Sequence, residues 1–509
     1  MSSRMLVGQH VEHNARRFAQ KVALREAHAR EWTYAQLNAF ANRTAHALRA
    51  NGIGHGDKVG LLCDSRLEWV GLYVGIVKLG AVAVPANSRL TPEEITASLT
   101  DADVRLLFGL EDPSAKVRAL LPDLRTIAID GAGADGLDTF LAGQPDSDPE
   151  VELQASDPNV ILFTGGTTGR AKGVLLTHEN LFWNSLDEII DTRMHEDDNT
   201  LLVTPLHHSA ALNCWLLPHL YLGASATLLP KYSAEATLRA IAAHGVTNAF
   251  MPPSVAREVY LHPLARELDL SSFRRWYIGG GILATQDREA IHALIPGVQI
   301  YFQYGLTEAG PIVTVLKEKD VARADGSIGR AFINFEVKIL DFDLNDVPAG
   351  EEGEIAVRGP AVMPGYYKQP EATRAVFHDG WLRTGDTGVM DAAGFVYFRD
   401  RLKDMVKSGG LNVYSQEVER ALVQHPCVRE VAIIGLPSEK WGEEVTAIVS
   451  LRPGHSLTAE ELIAYGRQHL AVYKVPKRVI FIDYEEMPIS LSGKLLKRQL
   501  RSRFLATIE

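Results

Sequence analysis

Short apolar runs separated by stretches of helical spacing recur along the first half of the chain, and this rhythm limits the fold more than any single motif. Val59 to Cys63 reads as a strand, Leu67 to Leu79 as a helix, and Ala81 to Val84 as a strand that ends at Pro85. Strand-like runs return at Val104 to Phe108, Thr126 to Ile129, Thr200 to Thr204, Ala226 to Leu229 and Asn248 to Met251. Such alternation predicts parallel sheets covered by helices, an α/β fold. A chain of 509 residues exceeds one ordinary core, so two or more domains are expected. Residues 10 to 50 have helical spacing broken at Glu31-Trp32-Thr33-Tyr34, where Thr33 can cap a helix beginning near Ala35. Residues 131 to 149, rich in Gly, Asp, Ala and Pro, read as a surface connection. Composition shifts again near Arg399. A helix at Ser415 to Gln424, strands at Val431 to Gly435 and Val445 to Leu451, and a helix at Ala459 to Leu470 then predict a separate small α+β domain.

Charge narrows the function. The chain has 52 Lys+Arg against 63 Asp+Glu, a formal net charge of −11, which disfavours a general binder of nucleic acid or anionic membrane. Any polyanion site must be local. Cys63, Cys214 and Cys427 show neither metal-like nor disulfide-like spacing, which fits a reducing compartment, and no role is assigned to them. The N-terminus lacks an apolar signal region, and the most apolar stretch, Trp69 to Ala86, carries Lys78 and Pro85 within only about 20 residues. No membrane span and a cytoplasmic enzyme are the expectation.

The local polyanion site is at Val160 to Gly173, V-I-L-F-T-G-G-T-T-G-R-A-K-G. An apolar strand stops at Thr164; glycines then let main-chain N–H groups approach phosphate oxygens, threonine hydroxyls donate, and Lys172 adds positive charge. The segment is not a Walker loop, because Lys172 precedes Gly173 and Val174 to Leu176 continues as a second strand rather than opening a helix. A strand-loop-strand clamp on a triphosphate is predicted.

This segment resembles the Thr-Ser-Gly-Thr-Thr-Gly-x-Pro-Lys-Gly signature of the acyl-adenylate-forming enzymes, which include acyl- and aryl-CoA ligases, peptide-synthetase adenylation domains and beetle luciferases. Gly165 stands where serine is usual and Ala171 where proline is usual. The resemblance assigns Thr164, Gly166, Thr167, Thr168, Gly169 and Lys172 to the β- and γ-phosphates of ATP. Tyr304-Gly305-Leu306-Thr307-Glu308 follows the apolar run Val298 to Phe302 and by itself reads as a strand end with a helix cap. Resemblance makes Tyr304 the adenine platform, Thr307 the α-phosphate contact and Glu308 the Mg2+ ligand. Gly279, Gly280 and Gly281 either let backbone lie against a flat ligand or make a flexible turn; the Ala-Pro usual there is missing.

Further matches extend to about residue 500, in the family's order. Asp386, in Arg383-Thr384-Gly385-Asp386, corresponds to the aspartate that holds both ribose hydroxyls, and a carboxylate suits a vicinal diol. In Arg401-Leu402-Lys403-Asp404, resemblance gives Arg401 a ribose contact and makes Asp404 the hinge, with Asp400 where glycine is usual; read alone, the run is a solvated linker. The same resemblance places Gly409 and Gly410 beside the pantetheine tunnel. In Ser492-Gly493-Lys494, Lys494 corresponds to the lysine that bridges carboxylate and α-phosphate in the adenylating conformation. The basic residues after it, Lys497, Arg498, Arg501 and Arg503, read as a solvated helix face. Gly353 to Tyr366, with its Pro-Gly-Tyr, matches without an assigned role.

The implied fold is a large N-terminal domain, 1–403, of parallel sheets flanked by helices with a β-barrel-like part, and a small mobile α+β C-terminal domain, 404–509. The implied reaction takes a carboxylic acid, ATP, Mg2+ and CoA to an acyl-CoA through an acyl-AMP. His208, in Pro205-Leu206-His207-His208, corresponds to the gate beside the acyl pocket. An acyltransferase H-H-x-x-x-D is excluded because Leu212 stands at the sixth position, and no aspartate between Thr204 and Leu217 offers itself to an α-ammonium. Trp183, His207, Leu212, Asn213 and Phe250, with Phe182 and Trp215, form the candidate acyl pocket, apolar with one amide. An aryl, alicyclic or medium- to long-chain acid is expected; oligomeric state stays open. The alternatives are a half-enzyme that thioesterifies a supplied acyl-AMP and a non-catalytic nucleotide binder.

Overall fold

The computed structural model describes residues 5–27, 30–164, 171–281, 283–489 and 495–505. The chain divides into two compact units: residues 1–325, 329–336 and 357–382 form one, and 326–328, 337–356 and 383–509 the other. The boundary expected at 403/404 falls inside the second unit.

Two sheets build the first unit. In the seven-stranded one, Val82–Pro85, Lys58–Leu62, Val104–Gly109 and Arg125–Ala128 run parallel with Pro158–Thr164, while Lys172–Thr177 and Gly365–Tyr366 close one edge antiparallel. In the nine-stranded one, Val22–Glu26, Ser225–Leu228, Asn199–Leu202, Asn248–Phe250, Arg275–Gly279 and Gln299–Tyr304 are parallel neighbours. The strand rhythm of the sequence is therefore the sheet, with ends shifted by a residue or two. The α/β class holds. The helix Leu67–Lys78 is buried on every side, which accounts for the most apolar stretch of the chain, and no described helix is long and apolar enough to cross a membrane.

One sequence expectation fails near the N-terminus. The spacing over residues 10 to 50 suggests helix broken once, yet a hairpin of Val22–Glu26 and Glu31–Thr33 separates the helices Val7–Arg17 and Tyr34–Ala50. Val22–Glu26 is a strand because it pairs in parallel with distant Ser225–Leu228, a partner local spacing cannot reveal. Thr33 does cap the second helix, its Oγ1 accepting from Gln36 N. Residues 131 to 149 are mostly exposed, as a surface connection should be, and within them the helix Leu137–Leu141 buries Leu137, Phe140 and Leu141. Asp148 then accepts from the buried Lys78 Nζ at 2.7 Å, fixing the connection to the core.

The second unit contains a sheet in which Val428–Ser438 pairs antiparallel with Gly442–Leu451, flanked by Val406–Ser408 and by Arg478–Phe481. Alternation along Val428–Ser438 feeds two cores. Val431 and Ile433 pack with Val418, Leu422 and Leu462, while Ala432, Ile434 and Leu436 pack with Met487 and Leu500. In the same unit Asp386 to Met390 pairs antiparallel with Arg401 to Val396.

Candidate functional site

The C-terminal ends of neighbouring parallel strands gather most of the candidate residues of the first unit, the edge where α/β sheets bind ligands. Asn199–Leu202 runs into His207 and His208, Asn248–Phe250 ends at Phe250, Arg275–Gly279 ends at Gly279, and Gln299–Tyr304 ends at Tyr304. Gly279 pairs with Gln303, one residue before Tyr304. A Cβ on Gly279 would lie 2.9 Å from the Phe250 ring and 3.0 Å from Gln303 O, so close packing requires glycine there. Gly280 has φ +77°, a conformation glycine adopts freely. A Cβ on Gly281 would lie 3.3 Å from Pro253 Cγ. After Tyr304 the chain turns tightly at Gly305, where a Cβ would meet Pro311 O at 1.9 Å. The short 3₁₀ turn Thr307–Ala309 follows, and Thr307 Oγ1 lies 2.9 Å from Ser209 Oγ.

In the other sheet of this unit, Thr164 and Lys172 face each other across the antiparallel pair at the mouth of the loop. Gly166, Thr167, Thr168 and Gly169 lie outside the described residues. Tyr366 pairs with Val174, and its ring lies 4.7 Å from Lys172 Nζ. Its hydroxyl donates to Glu308 Oε1 at 2.9 Å, and Glu308 O accepts from Met363 N at 2.9 Å. Burial, and then the Glu308 carboxylate, push the Tyr366 phenol well above its usual range. One tyrosine thus spaces a cation from a carboxylate, an arrangement suited to a polyanion and its counterion.

The candidate acyl pocket sorts into two aromatic groups. Leu212, Asn213 and Trp215 are fully buried on the π-helix Ala210–Leu216. Trp215 stacks on Tyr277 at 4.3 Å and on Phe250 at 5.6 Å. Asn213 Nδ2 donates to Gly310 O at 3.3 Å, while its Oδ1 and Trp215 Nε1 have no partner among the described residues. Trp183 instead meets Phe182 edge-on, and Phe182 packs on Tyr221. His207 and His208 lie 4.5 Å apart, ring to ring. Burial lowers both, with His208 and Arg89 adding to the effect at His207, and His208 is brought down to about 4. Both imidazoles are neutral near pH 7.

Behind Tyr304, the buried Glu188 accepts from Gln303 Nε2 at 2.9 Å, and burial holds its carboxyl well above the usual range. Ser209, Tyr277, Glu188 and Tyr366 were not singled out by sequence reasoning. Only Tyr366 carried a signal, the Pro-Gly-Tyr string.

In the second unit, Asp386 and Arg401 are paired across two strands, Arg401 Nε lying 3.6 Å from Asp386 Oδ1. Asp404 N donates to Arg401 O at 2.9 Å, closing a turn. Gly409 and Gly410 both have positive φ, and Gly409 N donates to Trp441 O at 2.8 Å. Lys494 lies outside the described residues.

Comparison with known proteins supplies the context. A profile described as AMP-binding enzyme matches residues 11–367, and one described as AMP-binding enzyme C-terminal domain matches 417–494. Feruloyl-CoA synthase of Amycolatopsis sp is 37% identical over 472 residues, covering 93% of this chain and 94% of that protein. Long-chain-fatty-acid–CoA ligase FadD13 of Mycobacterium tuberculosis is 38% identical over 483 residues, covering 94% of both. The solved structure of the anthranilate CoA ligase AuaEII in complex with anthranoyl-AMP superposes with a TM-score of 0.91 at 28% identity, covering 99% of this chain and 98% of that one.

Proposed function

Because the chain belongs to the AMP-binding enzyme family and is an AMP-forming acid–CoA ligase, we propose that it activates an apolar carboxylic acid, aryl, alicyclic or medium- to long-chain, through an acyl-AMP intermediate. The observation that carries this reading is the Lys172–Tyr366–Glu308 array, a cation and a carboxylate set on one tyrosine beside Thr307. The stacked Trp215, Tyr277 and Phe250 support the choice of an apolar acid. So do relatives named for feruloyl, indoleacetate and fatty acyl substrates.

In the first half-reaction a carboxylate oxygen bonds to the α-phosphorus of ATP as the bond to the pyrophosphate oxygen breaks. Both partners are anions, so alignment and cationic donors do the work. Lys172, with Thr164, Gly166, Thr167, Thr168 and Gly169, holds the β- and γ-phosphates. Thr307 donates to the α-phosphate, Tyr304 stacks on adenine, Gly279, Gly280 and Gly281 line it, and Asp386 with Arg401 holds the ribose. Lys494 bridges the attacking carboxylate and the α-phosphate. Glu308 offers one carboxylate beside the Tyr366 hydroxyl, a donor set that fits an ion shared with phosphate rather than a protein cage. Glu308 would hold Mg2+, which when bound neutralises charge on the phosphates.

In the second half-reaction the CoA thiolate attacks the acyl carbonyl and AMP leaves. The C-terminal part of the chain reorients about Asp404, Gly409 and Gly410 flank the pantetheine, and neutral His208 gates the acyl pocket lined by His207, Leu212, Asn213 and Phe250, with Trp183 in the neighbouring aromatic group.

Pyrophosphate release with ATP and Mg2+ is measured across benzoate, cinnamate, indole-3-acetate, cyclohexanecarboxylate, octanoate and palmitate, with CoA thioesters detected by mass. Release with thioester for one class is expected. Lys494→Ala is expected to abolish release while sparing thioester formation from synthetic acyl-AMP. Silence across the panel, with thioester from synthetic acyl-AMP, would show the half-enzyme instead.

A further inference from the structure

The residues on either side of Lys494 pair with one another. Ile489 bridges Leu495 antiparallel, and Leu496 N donates to Pro488 O at 2.8 Å. The helix Lys497–Leu505 follows, and Leu500, Phe504 and Leu505 pack it against Ala432, Ile434 and Leu436 of the sheet. That apolar contact already secures the helix, yet its first residue turns inward. Lys497 Nζ donates to Ser415 Oγ at 2.5 Å and to Glu419 Oε1 at 2.8 Å, with only 11% of its side chain exposed.

The contacts continue into the strand that precedes the expected hinge. Ser415 begins the helix Ser415–Leu422, and both its N–H and its hydroxyl donate to Asp400 Oδ2, the hydroxyl at 2.7 Å. Asp400 Oδ1 accepts from Arg401 N at 2.8 Å, and Glu419 Oε1 accepts from Ile433 N at 2.7 Å. Asp400 itself is 1% exposed. The aspartate that departs from the usual glycine is therefore the centre of a buried junction. It joins the helix after Lys494 to the strand carrying Arg401.

A buried ion pair is seldom more stabilising than an apolar pair of the same volume, but it defines one register where an apolar contact tolerates several. We propose that Lys497 is a positioning residue for adenylation: by bridging Ser415 and Glu419 beside Asp400, it holds the base of the Lys494 segment in register with the strand that runs into Arg401 and Asp404. This rests on the reading of Lys494 given above. A displacement of about 1 Å at a reacting group can cost on the order of 100-fold in rate, so loss of register is a kinetic rather than a folding defect.

The test compares the two half-reactions in the full chain, using cinnamate and octanoate with their synthetic adenylates. Lys497→Met is expected to slow pyrophosphate release by roughly 10- to 100-fold while thioester formation from acyl-AMP stays within about 2-fold. Lys497→Arg is expected to recover most of the rate. Equal slowing of both half-reactions overturns the positioning role. Should Lys497→Met fail to fold, Glu419→Gln reads the same split. A wild type that forms no acyl-AMP from any acid overturns the adenylation reading itself and this role with it, whereas a competent wild type with an unsplit Lys497→Met overturns only the positioning.

Discussion

Tyr366 bears two opposite charges at once, its ring against Lys172 Nζ and its hydroxyl on Glu308 Oε1. A hydrogen bond to a charged group contributes roughly 1.5–3 kcal/mol, so Tyr366→Phe is expected to lower kcat/KM for ATP in pyrophosphate release by about tenfold or more. Tyr366→Leu also removes the ring beneath Lys172 and is expected to lose more. Release rates across Mg2+ concentrations check both, and a Tyr366→Phe enzyme at wild-type efficiency would refute the linkage. Lys172 and Glu308 were readable as chemistry from their motifs. Tyr366 was not, because its place depends on the pairing of Gly365–Tyr366 with Lys172–Thr177. The histidines show the same limit: the pair at 207 and 208 was visible, but its neutral state comes from burial.

The helix His178–Thr192 is the element that backs the site of the first unit. Thr177 opens it with a capping box to Asn180, and its inner face buries Asn184, Asp187 and Glu188. Amphipathic spacing would put carboxyls outside. Here one is held by Gln303, and Asp187 Oδ1 accepts from Asn334 Nδ2 at 2.7 Å. Burial raises Asp187 from 3.8 to about 7. Its folded pKa lies above its unfolded one, so its contribution is present below about pH 4 and is lost as pH rises to about 7. Asp187→Asn cannot ionise. The variant is expected to gain on the wild type from pH 4 to 7, by on the order of 4 kcal/mol, with no further gain above. Urea unfolding at pH 4, 5.5 and 7.5 measures this, and a constant difference would rule it out. Local pattern identifies such a helix and its cap; which carboxyls it buries depends on strands distant in sequence.

Each of the two compact units has its own apolar core. In the second, Ile433 is fully buried among Val418, Leu422, Val431 and Leu462. Ile433→Ala is expected to cost that unit roughly 2–5 kcal/mol. Calorimetry should then show one transition moving down and another staying in place, whereas a single transition shifting as a whole would mean that the units unfold together. The alternating apolar runs were enough to determine an α/β chain with parallel sheets, because strand period and helix spacing are local properties of the side chains. Motif order was enough to identify an AMP-forming acid–CoA ligase, because the matching segments keep the family's order over most of the chain. Tertiary structure alone decided the N-terminal hairpin, the core contacts of Asp148, the tyrosine between Lys172 and Glu308, and the junction of Lys497 with Asp400. Each of these joins residues far apart along the chain, and such pairings are set by sheet register and burial rather than by the neighbours in sequence.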